Sequence, residues 1–402
     1  MQVLLVYERG PEFKEIFEEL VCKLPKYTTI VIWVNRRGQE KIIQEMINNM
    51  SCLGIKRTIQ VKVKSPSFSD DFRVWARDQF VTLSDKQVVE SANAPYNHDL
   101  AEDLESQGVI MDIVQDPNPK YGGFRIHGGN ILFDQDIVLI GANQFYRLTM
   151  SIRSKLSPIE QIKGTRIVKS YIRRYLGLAN NVKIIPVGQA TYTKGDTRGR
   201  RGKGSIFDHN LWQIKPPKPK QLSVRTLTRS ALPDEYVHID MFISLTGERV
   251  EIVTGKPGKP VLFLAQPVAL NPKHTRAANR LEELLLGIVN KLQNPNSRNE
   301  ESGFIVMRNP VPLISEGRDD AVYHIGMYNN CLVERISDQE KRVYLPSYAT
   351  GGYRRNLKVF DQLNRQLWEN LGYQVVMIEA NFHNYAKQRG SLHCISNELE
   401  RQ

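Results

Sequence analysis

What most limits the fold of this chain is a repeated order of elements. Three hairpin patterns recur: NILFDQDIVLIGAN turns at Asp134 to Asp136, HIDMFISLTGERVEIVTG at Thr246 to Glu248, and NCLVERISDQEKRVYLPSY around Ser337 to Glu340. A helical pattern and then a strand follow each of them. The N-terminal stretch alternates more simply, with QVLLVY, TTIVIWV and TIQVKVK as strands and PEFKEIFEELVCKL and GQEKIIQEMINNM as helices between them. A helix is predicted from Ser157, with Pro158 at its first position and Glu160 closing a capping box, to just before Gly177. Another runs from about Thr275 to Leu292, with Leu281, Leu284, Leu285, Ile288 and Leu292 on one face. Hairpin, helix and strand recurring in modules of roughly 80 residues mean an α/β repeat. With no linker to divide it, residues 1–402 are expected to form one domain.

Composition enters by exclusion. No run of about 18 apolar residues is present, and the opening MQVLLVYERGPEF lacks the basic region and small-residue cleavage site of a signal peptide. A protein that neither enters a membrane nor is secreted is expected. Cys22, Cys52, Cys331 and Cys394 are widely spaced and form no CxxC pair, which argues against a zinc ribbon and a dense disulfide framework. The expected setting is the reducing cytoplasm, with no cofactor and no metal.

The net charge of +12 looks like a nucleic-acid signal until it is located. Between residues 194 and 220, eight Lys and Arg stand against two Asp, a net of +6 and half of the total. Gly and Pro make this segment a basic loop insertion. It is either a solvated insertion or an attractor of acidic protein partners and phosphates. Nucleic acid is not the expected partner.

Four residues carry candidate chemistry. Cys394 lies in QRGSLHCISNEL, where it reads either as a small core residue at the end of a strand or as a nucleophile. His238 and Asp240 stand two apart where EYVHIDMFISL begins a strand, a spacing that puts an imidazole and a carboxylate on one face. His393, next to Cys394, would face the other way in a strand and is read as structural. Asp78 ends WARD, just before an apolar strand, where the alternative is an ordinary turn with Arg77 in a surface ion pair.

Taken together and in order, VWARD, IHGGNILFD, HIDMF and GSLHCISN resemble the guanidine-modifying, or pentein, superfamily. WARD, GGN and the run from RVYLPSY to HC are similar to agmatine deiminases, and NFHNYAKQRGSLHCISN to the catalytic domain of peptidylarginine deiminases. The resemblance implies a five-bladed α/β propeller of ββαβ modules. It implies Cys394 as nucleophile, His238 as general acid and base, and Asp78 and Asp240 as carboxylates gripping a guanidinium. Trp75 would pack along the substrate's methylene stem or belong to the core, Gly128 and Gly129 would bring backbone close to the ligand, and Asn130 would offer an amide. His127 stands where agmatine deiminases carry Glu, which turns the expectation toward arginine in peptides or a small arginine derivative. An agmatine deiminase, an amidinotransferase using the same residues, a non-catalytic pentein that binds nucleic acid through its basic loop and a cysteine protease are the competing readings.

Overall fold

The computed structural model describes residues 1–7, 10–50, 52, 58–65, 75–83, 86–90, 99–114, 116, 118, 128–156, 164–187, 190–193, 201–204, 238–251, 258–293, 303–316, 319–350, 354–388 and 390–400. It is a mixed α/β structure of several small mixed sheets, none of them closed. The chain divides into two compact units: Met1–Gln115 with Ile126–Gly129 and Gly326–Gln402, and Asp116–Arg125 with Asn130–Ile325.

The first unit opens with β1 (Gln2–Val6), α1 (Pro11–Lys23), β2 (Thr29–Val34), α2 (Gln39–Asn48) and β3 (Ile59–Val63). β4 (Phe80–Thr82), β5 (Gln87–Glu90), α3 (Asp99–Ser106) and β6 (Asp112–Ile113) follow. β1 is buried throughout and β2 almost so, as continuous apolar runs demand. α1 packs through Phe13, Ile16, Phe17, Leu20 and Val21, a three- and four-residue spacing that gathers them on one stripe. Burying each such side chain contributes about 1.5–3 kcal/mol.

The second unit holds β7 (Ile131–Asp134), β8 (Ile137–Gly141), α4 (Ala142–Arg153), α5 (Gly164–Tyr175) and β9 (Lys183–Val187). Next come β10 (Ala190–Thr193), β11 (Arg201–Gly204), β12 (Ile243–Val250), β13 (Lys259–Ala269), α6 (Thr275–Gln293), β14 (Ile305–Glu316) and β15 (Asp319–Ile325). The first unit then resumes with β16 (Leu332–Arg335), β17 (Lys341–Pro346), α7 (Arg354–Glu369), β18 (Gln374–Ile378), α8 (His383–Lys387), α9 (Leu392–Ile395) and β19 (Ser396–Glu400).

Five of the sheets share one plan. A first strand runs antiparallel to a second, a helix follows, and a third strand joins parallel to the second. The triplets β4-β5-β6, β7-β8-β9, β12-β13-β14 and β16-β17-β18 follow it directly. In the fifth, β19 at the end of the chain pairs antiparallel with β1, and β2 lies parallel to β1. The repeat read from three hairpins is therefore present five times among the described residues.

The hairpin turns at Gln135–Asp136 and around Ser337–Glu340 stand where expected. Gln135 has a positive φ of 33°, which a tight two-residue hairpin requires at that position. The third turn is corrected. Thr246–Glu248 is a bulge inside β12, where the register against β13 shifts between Leu245 and Arg249 and Gly247 takes a φ of 71°. Thr246 Oγ1 donates to the Val261 carbonyl at 2.7 Å and accepts from Glu248 N at 3.1 Å, so the polar and glycine residues that look like a turn stabilise a kink. The start of the helix expected at Ser157 lies outside the described residues, and its described part is α5. Of the basic segment, Arg201–Gly204 forms a ribbon with β10, and the rest of 194–220 lies outside the described residues.

Cys22 and Cys52 form a disulfide, with Cα atoms 5.7 Å apart. It closes a loop around β2 and α2. Sequence spacing does not reveal such a bond, because pairing depends on Cα separation in the fold. Cys331 and Cys394 carry buried thiols. Among the described residues, no helix is long and apolar enough to cross a membrane.

Candidate active site

The candidate residues share a structural position. Each sits in a short turn immediately before the first strand of a module. In the first unit, the 3₁₀ turn Ala76–Asp78 precedes β4, with Trp75 at its entry and Asp78 closing it. α9, which carries Cys394, precedes β19 and packs against that 3₁₀ turn. Cys394 was expected on a strand and stands instead in a four-residue helix, closed where the Ser396 hydroxyl donates to the Leu392 carbonyl at 2.7 Å. The alternation that places His393 on the opposite face therefore does not apply there.

The thiol of Cys394 is buried. Asn330 holds it at two points: Oδ1 accepts from Cys394 N at 3.1 Å, and Nδ2 donates to Sγ at 3.1 Å. Asn330 belongs to the tight turn before β16, and its own carbonyl accepts from His393 N at 3.2 Å. The hydroxyl of Tyr348 donates to Ser391 Oγ at 3.0 Å, fixing the residue that leads into α9. Burial pushes that phenol well above its ordinary range, and negative charge on Cys394 acts in the same direction.

Trp75 is half-buried and edge-on to Tyr385, with ring centroids 6.0 Å apart. Gly390 makes room for it: a Cβ there would lie 2.2 Å from the indole Cζ3. Arg77, which the alternative reading put in a surface ion pair, is 1% exposed and donates to Asn397 Oδ1 at 3.3 Å. The long side chain is core structure here. Gly128 also has a structural reason to be glycine, since a Cβ would meet the Arg77 carbonyl oxygen at 2.0 Å. Gly129 and Asn130 complete the 3₁₀ turn that leads into β7.

In the second unit, His238 stands just before the 3₁₀ turn Ile239–Met241, at its N-cap position, and Asp240 lies within that turn. The strand expected to carry both begins only at Ile243, so turn geometry rather than strand alternation sets their placement. Both are buried. Burial pushes the His238 imidazole below its ordinary value, and the Asp240 carboxylate opposes that shift. Asn130 Oδ1 accepts from Ile239 N at 3.1 Å, between the two candidate residues. The amide expected to meet a ligand is thus engaged, through its oxygen, in bracing the His238 turn.

Reading the sequence missed Asn330, Tyr348, Ser391 and Gly390. One signal was available. MYNNCL sets two adjacent Asn in an apolar stretch, and both are buried, which polar amides tolerate only with partners.

No protein-family model matches this chain, and no curated protein matches it. Among solved structures, the chain is similar to the apo form of ArgZ, an arginine dihydrolase from the ornithine-ammonia cycle in Cyanobacteria, at 10% identity and a TM-score of 0.34. The match covers 100% of this chain and 40% of that one, so the chain spans well under half of its neighbour's length. A match of that depth assigns neither fold nor activity.

Proposed function

We propose that this chain is a deiminase that hydrolyses an arginine-type guanidino group to a ureido group and ammonia. The observation that carries the proposal is the recurrence of the module with a candidate residue at the same position in each. Asp78, Gly128 to Asn130, His238 with Asp240, Asn330 and Cys394 occupy the turns before the first strands of five successive modules. That pattern supports a single domain built as a five-bladed α/β propeller of the pentein type. The ordered motifs of the sequence support the same reading.

The chemistry follows from the residue types. A guanidinium is planar, cationic and a poor electrophile, and two carboxylates accept its N–H groups in fork geometry. Asp78 and Asp240 take that role, and Trp75 lines the methylene stem. Proton transfer from the Cys394 thiol to His238 yields a thiolate and an imidazolium. The thiolate attacks the guanidinium carbon, forming a C–S bond, while His238 returns the proton to the departing nitrogen as the C–N bond breaks and ammonia leaves. The neutral imidazole that burial favours then takes a proton from water. Hydroxide adds to the carbon, the new hydroxyl gives its proton to solvent as the C–S bond breaks, and the ureido product leaves with the thiolate and imidazolium restored. The basic segment would repel a guanidinium, so it is assigned the recruitment of acidic protein substrates.

Ureido product and ammonia measured over benzoyl-arginine amide, arginine peptides with neutral and acidic flanks, free arginine and agmatine test the proposal. Product is expected without any added amine, with preference for arginine in peptides or amides. Cys394→Ala is expected to reduce it to background. Asp78→Asn and Asp240→Asn should each lose about ten- to a hundred-fold in kcat/KM, the cost of leaving part of a charged group unpaired. Undiminished turnover by Cys394→Ala would overturn the mechanism.

A further inference from the structure

We propose that Asn330 is a positioning residue that holds the Cys394 sulfur as a thiolate, an inference that rests on reading Cys394 as the nucleophile. Asn330 is fully buried, and its contacts fix which way the amide faces. Its oxygen must face Cys394 N–H, so its N–H group must face the sulfur, and both contacts measure 3.1 Å. A thiol sulfur accepts a hydrogen bond weakly. A thiolate accepts it as an anion, and bonds to ionised groups are roughly twice as strong as neutral ones. The contact therefore gains strength when the proton leaves and favours the reactive form.

The amide is held from behind. Asn330 N donates to the Met327 carbonyl at 3.1 Å, and the neighbouring Tyr328 hydroxyl donates to Asp361 Oδ1 at 2.6 Å. Asp361, on α7, also accepts from Ser347 Oγ at 2.5 Å, Tyr348 N at 3.1 Å and Ala349 N at 3.3 Å. One carboxylate thus ties the Asn330 turn to the segment whose Tyr348 hydroxyl reaches Ser391. Burial, then the Asp361 charge, keeps Tyr328 protonated, and burial does the same for Tyr348. Neither phenol adds a second anion beside the sulfur.

An asparagine that served only to satisfy Cys394 N–H would be replaceable by aspartate, which keeps the acceptor oxygen. Asn330→Asp removes the donor and puts a carboxylate oxygen toward the sulfur. The test is the ultraviolet absorbance of the Cys394 thiolate against pH in the full chain, with Cys394→Ser as the blank and circular dichroism confirming the fold. The ionisation midpoint is expected to rise by about one pH unit or more in Asn330→Asp, since a like charge disfavours the anion. In Asn330→Ala, which loses both contacts, it should rise less. In turnover, kcat should fall with KM little changed. Equal midpoints in the wild type and the folded variants would overturn the proposal. Shifted midpoints in a chain that makes no ureido product would keep this role for Asn330 and remove the deiminase reading.

Discussion

The turns that carry Cys394 and His238 are built alike and serve differently. In the second unit, Asn130 Oδ1 accepts from the backbone N–H of Ile239, beside His238. In the first unit, Asn330 Oδ1 accepts from the backbone N–H of Cys394 at the same 3.1 Å, but its other end reaches the sulfur. A third asparagine, Asn397 of β19, donates to the carbonyls of Ala76 and Phe80 on either side of Asp78. Each asparagine comes from the start of one module and braces the turn of another. A short 3₁₀ or α-turn leaves its first N–H groups without internal partners, and a buried one must find them elsewhere. The brace is a general solution to that problem. At Cys394 the same side chain also touches a reactive atom.

If the braces are structural at His238 and chemical at Cys394, stability and reactivity should separate. The largest stability loss is expected in Gly128→Ala, about 1–3 kcal/mol or somewhat more, because the new Cβ meets backbone at Arg77 that cannot swing aside. Denaturant unfolding measures it, and an unchanged midpoint would mean that the turn before β7 is free to move. Asn130→Ala comes next, at about 1–3 kcal/mol for a buried N–H left unpaired at Ile239. A fully stable Asn130→Ala chain would break the likeness between the two turns.

A smaller effect appears with pH. Burial lowers the imidazole pKa of His238 in the second unit and of His383 in the first. Both therefore bind protons more readily when the chain is unfolded, where the ordinary value is about 6.5. Stability is fully present above that value and is lost as pH falls below it. Melting followed from roughly pH 7.5 to 5 should show this loss, and His383→Asn should lessen it while the contribution of His238 remains. A chain that gains stability on acidification over that range would contradict the sign.

How much of this was legible in the sequence depended on how local the cause was. β1, α1, β2, α2 and β3 could be read because apolar periodicity is a property of neighbours in the chain. The five-fold plan could be read only in part, since its first strand, β19, lies at the far end of the chain from β1. Thr246 to Glu248 misled because Gly247 suits a bulge as well as a turn. The helix of Cys394 was hidden by its length, as four residues cannot display a period. Asn330 lies 64 residues before Cys394, and Cys22 and Cys52 are 30 apart, so both pairings exist only once the chain is folded. The candidate residues were identified by motif order, and their supports by geometry, with the paired Asn of MYNNCL as the one hint in the sequence.

The central claim is that Cys394 forms a covalent bond to the guanidine carbon and that ammonia is the first group to leave. Turnover of a guanidino substrate by the wild-type chain, stopped by rapid acid quenching before the water step is complete, and mass spectrometry of the Cys394 peptide catch the intermediate. The account predicts an adduct on Cys394 with the mass of the whole substrate less one ammonia. An adduct of the amidino group alone would mean transfer chemistry, and an unmodified Cys394 beside ureido product formed by the wild type would contradict the covalent mechanism.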